Sequence, residues 1–140
     1  MRLVLLVGSQ EYLYGLGEVP SSWPAPALAA HAVAARTYAY TKVAASQHRP
    51  VCDCALYASS FDQVYAGWDK ESGPDGERWV AAVNATEGRV ITHRREMIQA
   101  FYTSSSGGYT ENNENVWGGT PLPYLRGVCD PGDYTSANPN

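Results

Sequence analysis

The chain has 140 residues, is 44% hydrophobic and 17% charged, and carries a formal net charge of −4. That length fits a single domain, 1–140, with a core able to take about two-thirds of the unfolded surface out of water, and the composition excludes disorder. The acidic balance and the absence of a basic run exclude nucleic acid as a partner, and no segment reaches the ~18 apolar residues of a membrane helix.

The branched, apolar run Met1 to Val7 predicts a first β-strand. It is too short for a signal-peptide core and has no small-residue cleavage site, so this run is not itself read as an export signal. Ser9 to Leu16 predicts a short helix with Ser9 as N-cap, broken by Gly15, Gly17 and Pro20. Glu18 to Pro24 then reads as a loop. Pro26 suits the first turn of the next helix, Ala27 to about Ala45, which is rich in alanine. Leu28, Ala32, Ala35 and Ala39 share one of its faces, and Val33, Arg36 and Tyr40 form an adjoining stripe. Gln47 to Cys54 reads as loop, Asp62 to Trp68 as a short strand or helix end, and Lys70 to Glu77 as a polar turn. Arg78 to Thr86 predicts a helix ending near Gly88. Arg89 to Thr92 and Met97 to Tyr102 predict two strands joined by a turn at His93 to Glu96. Thr103 to Pro123 is expected to be one long loop, and a loop of that length in a compact domain is usually functional.

The odd count of three cysteines leaves at least one outside any bridge within the chain. Cys52 and Cys54 flank a single residue and read as too close to pair with each other. Cys129 bridged to one of them in an oxidising compartment, and free buried thiols throughout, are level readings. His48, Cys52 and Cys54 match no standard zinc spacing, so no metal and no cofactor are expected. Tyr and Trp far outnumber Phe, at ten and four against two. Trp23 and Trp117 read equally well as rings of a binding surface or as core fillers.

Four blocks stand in order: Tyr12-Leu13-Tyr14-Gly15 with Glu18-Val19-Pro20; Ala34-Ala35-Arg36-Thr37-Tyr38-Ala39; Gln63-Val64-Tyr65-Ala66-Gly67; and Ala100-Phe101-Tyr102-Thr103-Ser104-Ser105-Ser106-Gly107-Gly108-Tyr109-Thr110-Glu111. Val116-Trp117-Gly118 and Pro123-Tyr124-Leu125 close the series. From about Glu11 to Asp130 the chain resembles the stage II sporulation protein D / amidase enhancer family. The resemblance implies a secreted or wall-facing peptidoglycan enzyme, a lytic transglycosylase acting on glycan strands stripped of stem peptides. The family's catalytic glutamate lies in a Glu-Met-Pro block before the Ala-rich helix, and Glu18-Val19-Pro20 occupies that place. The Gly15-to-Glu18 interval is shorter than in the family. Phe61-Asp62 stands where some members have a zinc-holding His-Cys pair, so zinc is not carried over. His31 stands where the family often has Gln.

The chemistry this implies needs one carboxyl group. As an acid it protonates the departing glycosidic oxygen; as a carboxylate it takes the proton of the muramyl 6-hydroxyl that attacks C1. A raised pKa needs apolar surroundings, for which Leu16, Val19, Pro20 and Trp23 are the candidates. A hydrolase more often uses two carboxylates, and Glu111 and Glu114 are available. Arg36 is read as either a support of the cleft, bonded to a sugar substituent or to Glu18, or a surface or structural ion-pair partner. Tyr102, Ser104, Ser105, Gly107 and Gly108 are read as lining for the substrate, hydroxyls for sugars and glycines for close approach. Ser105 lacks the Gly-x-Ser-x-Gly elbow of a hydrolase nucleophile.

The expected fold is therefore α+β: a small mixed sheet, a long Ala-rich helix against it, and a substrate cleft between the Glu18 loop and the Ser/Gly loop. The expected partners are peptidoglycan glycan strands and a cell-wall amidase, and the expected location is outside the cytoplasm. The rival reading is a non-catalytic wall-binding module that enhances a separate amidase.

Overall fold

The computed structural model of the chain describes residues 3–45 and 49–134. They form two compact units, Met1–Ala100 and Phe101–Asn140.

The first unit is built from α1 (Ser9–Tyr14), α2 (Ala25–Ala45), α3 (Trp68–Ser72) and α4 (Gly76–Ala85), followed by a hairpin of β1 (Thr92–His93) and β2 (Glu96–Met97). α2 packs on α4, and α1 packs against both. The face predicted for α2 is the one that is buried: Leu28, Ala32 and Ala35 have no exposed surface and Ala39 has 6%. Alanines let the neighbouring helix come close, and the bulk is supplied from that side by Leu13, Trp79 and Val83, all at most 1% exposed. The Trp79 indole N–H donates to the carbonyls of Leu13 at 2.9 Å and Tyr14 at 3.1 Å, so the ring fills the core and also satisfies the end of α1. Thr37 and Thr41 on α2 hold the segments flanking the hairpin. The Ile91 amide donates to Thr37 Oγ1 at 2.9 Å, and the Thr41 hydroxyl reaches the Ile98 carbonyl at 3.0 Å.

Several local expectations change. Leu3 to Val7 are exposed and form no strand, since no neighbouring strand is there to pair with them among the described residues. α1 begins on Ser9 rather than being capped by it; Gly8 is the N-cap. Lys70 belongs to α3, which leaves only Gly73 to Asp75 as the turn. The two expected strands shrink to two residues each, paired antiparallel with Thr92 opposite Met97 and His93 opposite Glu96. Arg94 and Arg95 turn the hairpin at φ of 52° and 71°, left-handed angles that a two-residue turn requires. The class is thus α+β, with an antiparallel hairpin in place of a mixed sheet.

The second unit contains α5 (Asn113–Trp117) and a 3₁₀ turn, Pro131–Tyr134. α5 lies inside the stretch expected to be continuous loop; five residues are too few to show a helical period. Side chains bonded to backbone organise this unit. Asn113 is 6% exposed, donates to the Thr120 carbonyl at 3.0 Å, and accepts from the Leu122 amide at 2.8 Å and Arg126 at 2.6 Å. Arg126 also pairs with Glu114, and the Gly127 amide donates to Asn112 Oδ1 at 2.8 Å.

The cysteine expectation is overturned. Cys52 and Cys54 are bonded to each other, and Cys129 is free and exposed. Asp53 between them takes a left-handed φ of 55°, which folds the chain back so that the two Cα atoms lie 5.1 Å apart, within disulfide reach. His48, the third member of the spacing considered for zinc, lies outside the described residues. Alkylation of the native, unreduced protein is expected to label Cys129 alone, as read by peptide mass mapping. Label on Cys52 or Cys54 would contradict this pairing.

Candidate active site

Two of the sequence blocks form one structural piece. α1 ends at Gly15, and the chain then runs antiparallel to Val64–Gly67. The Gly17 amide donates to the Val64 carbonyl at 2.9 Å, and the Ala66 and Gly67 amides donate to the Gly15 carbonyl at 2.8 and 3.1 Å. A Cβ on residue 15 would lie 2.5 Å from the Tyr65 ring and 2.9 Å from the Gly67 Cα, so only glycine allows this crossing. The Tyr12 ring stacks on Tyr65 with centroids 5.6 Å apart. Gln63 is wholly buried, accepts from the Tyr12 hydroxyl at 2.9 Å and donates to the Ala35 carbonyl at 3.2 Å. It ties α1 to the middle of α2.

Glu18 follows directly on this crossing and is half-buried. Its Oε1 accepts the Val64 amide, so the residue that pairs with Gly17 also orients the carboxylate. Lys70 on α3 fastens the loop by donating to the Val19 carbonyl, and Arg78 on α4 donates to the carbonyls of Ser22 at 3.1 Å and Trp23 at 3.0 Å. Of the residues expected to wall the glutamate, Leu16 is wholly buried, Val19 is half-buried, and Pro20 and Trp23 are exposed.

Beneath the loop, Lys70 lies 5.5 Å above the Trp79 ring and His31 lies 5.6 Å from the same ring. Burial, and then the Lys70 charge, lower the His31 pKa from 6.5 to about 4. The unfolded chain therefore binds a proton below pH 6.5 that the folded chain refuses until about pH 4. Stability contributed by neutral His31 is full above that window and is lost as pH falls through it, on the order of 3 kcal/mol in total. His31→Gln is expected to flatten this acid limb in urea titrations run from pH 7 to 4; an unchanged limb would contradict the assignment.

A cluster that sequence reasoning missed lies where the resemblance placed a His-Cys pair. Phe61 is 86% exposed, whereas the Asp62 side chain has no exposed surface. Asp62 accepts from Arg49 at 2.7 and 3.2 Å, the Tyr57 amide at 2.8 Å and the Tyr38 hydroxyl at 3.2 Å, with Lys42 at 3.9 Å. Burial pushes the Asp62 pKa up, but the Tyr57 amide and Arg49 outweigh it and leave the carboxyl below its ordinary value. Tyr38 is pushed up to about 12 by its own burial and by Asp62, with the Glu18 charge adding to the shift. The only sequence signal for this cluster was an acidic residue directly before Gln63.

Arg36 is 1% exposed and points into the protein. Its guanidinium donates to the carbonyls of Thr86 at 2.8 Å, Arg89 at 3.1 Å and Val83 at 3.2 Å, and to Gln10 Oε1 at 3.2 Å. Three of these four acceptors are carbonyls at and beyond the end of α4, where the helical bonding pattern runs out and those of Val83 and Thr86 otherwise meet only the turn donors of Thr86 and Arg89. Of the two readings open for Arg36, these contacts are the structural one, with carbonyls in place of an ion-pair partner.

The other predicted site residues lie in the second unit. Tyr102 is half-buried and Ser104 is exposed. The Ser105 hydroxyl donates to Asp133 Oδ2 at 3.2 Å, and the Gly107 amide donates to Ser105 Oγ at 3.4 Å. Gly107 and Gly108 take φ of 69° and 93°, angles that favour glycine. Of the two carboxylates available as a second catalytic group, Glu111 accepts from the Asn112 amide and Asn115, and Glu114 is paired with Arg126. Trp117 is 61% exposed and packs on Phe101 with centroids 4.4 Å apart, so neither it nor Trp23 is a core filler.

Residues 1–93 match the family model described as Stage II sporulation protein. The chain belongs to this family. It is 39% identical over 108 residues to the amidase enhancer of Bacillus subtilis (strain 168), covering 77% of this chain and 13% of that protein. It is 33% identical over 137 residues to the stage II sporulation protein D of Bacillus amyloliquefaciens, covering 91% of this chain and 40% of that protein. The chain thus spans less than half the length of these relatives. The family match includes Glu18, Arg36 and Gln63, while the Ser/Gly loop lies beyond residue 93.

Proposed function

We propose that this stage II sporulation family chain is a lytic transglycosylase of peptidoglycan, with Glu18 as its one acid/base. The observation that carries the reading is the setting of Glu18. It sits in the family's Glu-x-Pro place, with one carboxylate oxygen oriented by the Val64 amide, on a loop fastened by Lys70 and Arg78. Glu18 as the acid gives its proton to the glycosidic oxygen between MurNAc and GlcNAc as the C1–O bond breaks. The carboxylate then takes the proton of the muramyl 6-hydroxyl as its oxygen bonds to C1. The proton is restored to Glu18, the sugar gains an anhydro ring, and no water is consumed. Positioned proton transfer of this kind contributes about 10²–10⁴-fold in rate.

The glycan is expected to be stripped of stem peptides, and the protein to act outside the cytoplasm. A substrate cleft at the Glu18 loop belongs to this proposal, as does glycan recognition by Tyr102, Ser104, Ser105, Gly107 and Gly108. Arg36 is assigned to support rather than to substrate contact.

The second reading, a wall-binding module that enhances an amidase, is supported by the printed name of the Bacillus subtilis relative. Chromatography of denuded glycan strands with and without the protein separates the two. Strand shortening without added amidase supports the enzyme. Unshortened strands, together with equal stimulation of an amidase by the unaltered protein and by Glu18→Gln, would support the enhancer.

A further inference from the structure

The turn Ser105–Gly108 directs its polar groups at a carboxylate of its own chain. Asp133, in the turn Pro131–Tyr134, accepts at Oδ2 from the Ser106 amide, the Ser106 hydroxyl at 2.7 Å, the Ser105 hydroxyl at 3.2 Å and the Gly108 amide at 3.3 Å. The left-handed angles of Gly107 and Gly108 let amides two residues apart converge on one anion. A Cβ on Gly107 would meet nothing within 4 Å, so it is the backbone angle that calls for glycine there. These four donors are all uncharged. Together they hold the Asp133 carboxyl well below the usual carboxylate range, the Ser106 hydroxyl contributing most and its amide next.

One oxygen is oversubscribed by four donors, and two of the four have another acceptor: the Gly108 amide also lies 3.2 Å from Ser106 Oγ. The Ser106 hydroxyl lies 3.0 Å from Asp130 Oδ2, and it has a single proton to give. Asp130 is itself fixed: its amide donates to the Gly108 carbonyl at 2.9 Å and its Oδ1 accepts the Gly132 amide at 3.1 Å. With that hydroxyl turned to Asp130, the Ser106 amide, the Gly108 amide and the Ser105 hydroxyl remain as donors to an anion. The turn is open to solvent on one side: Gly107 is exposed, Ser105, Ser106 and Asp133 are half-buried, and Gly108 is buried. Three converging neutral donors suit a singly charged carboxylate. The nearby Asp130 charge disfavours a phosphate, and the four donors described are all neutral.

We propose that Ser105–Gly108 is a carboxylate-binding turn in which Asp133 is a built-in stand-in, displaced by the free lactyl carboxylate of a muramyl residue. This rests on the glycan reading above and deepens it. Only a muramyl residue without a stem peptide carries that carboxylate, because a peptide converts it to an amide. Asp133 then acts as an internal competitor, and the apparent affinity for ligand is scaled down to the fraction of time the turn is open.

The test is an amide NMR titration of the full chain with N-acetylmuramic acid and, separately, with N-acetylglucosamine, which lacks the lactyl group. N-acetylmuramic acid is expected to shift the Ser106 and Gly108 amide resonances and N-acetylglucosamine to leave them in place. Asp133→Asn, which removes the competing charge, is expected to bind N-acetylmuramic acid about five- to tenfold more tightly. Unmoved Ser106 and Gly108 resonances, equal shifts with both sugars, or weaker binding by a folded Asp133→Asn would each overturn the proposal. If that variant does not fold, the titration of the unaltered protein decides alone. Strand cleavage by the unaltered protein separates the two claims. Shifts without cleavage leave the site standing and remove the reaction; cleavage with unmoved resonances removes only the site.

Discussion

Glu18→Gln is expected to stop glycan cleavage while leaving the fold and the melting temperature almost unchanged. The physical reason is that Gln retains an Oε1 to accept the Val64 amide, so the loop keeps its anchor. What it loses is a proton that can be given and taken back. The expected fall in the rate of strand shortening is about 10²–10⁴-fold, the usual contribution of a positioned acid/base group. Binding of strands should persist, because the shape and the hydrogen bond persist. A folded Glu18→Gln protein that cleaves at the unaltered rate would remove Glu18 from the mechanism.

The largest loss of stability is expected from Arg36→Met. The substitution keeps most of the side-chain volume but removes the donors for the carbonyls of Val83, Thr86 and Arg89. The carbonyls of Val83 and Thr86 keep the donors supplied by Thr86 and by the Arg89 amide, so the loss is that of the charge-assisted bonds themselves, about 1.5–3 kcal/mol each and partly offset because no guanidinium is then buried, and a total of about 2–4 kcal/mol is expected. That is a large part of the ~5–15 kcal/mol that stabilises a domain, and it should appear as a reduced urea midpoint with an unchanged m-value. Arg36→Lys should recover part of it, since an ammonium can reach some of the same carbonyls but lacks the planar fork. Unaltered stability combined with weakened glycan binding would return Arg36 to the substrate-ligand reading.

What was legible in the chain was what local rules determine. The apolar spacing of Leu28, Ala32, Ala35 and Ala39 identified the buried face of α2, because a helix repeats its face every three or four residues. Gly15 was visible as a break, but the joint use of Gly15 and Gly67 was not. They let two chain segments pass at backbone distance, and that contact joins residues some fifty positions apart. Arg36 was placed on a rigid helix correctly, yet its partners lie on α4 and beyond, so its direction depended on packing rather than on spacing. The expected strand is absent over Leu3 to Val7 for the converse reason: branched residues favour a strand only where another strand is present to pair with them. The Cys52–Cys54 bridge was misjudged because one residue, Asp53, takes a left-handed angle that a spacing rule does not foresee. For the site, the Glu18 block was readable from its likeness to a family. The Asp62 cluster and the Asp133 contact were not, because each depends on a single carboxylate meeting donors from other turns.

The measurement closest to the central claim is the mass of the new sugar end formed when the protein acts on denuded glycan strands. Attack by the muramyl 6-hydroxyl makes an anhydro-muramyl end with no water added, and that end is the predicted product, absent with Glu18→Gln. A new end heavier by one water, a reducing muramyl or glucosaminyl residue, would mean hydrolysis and would contradict the single-carboxyl account.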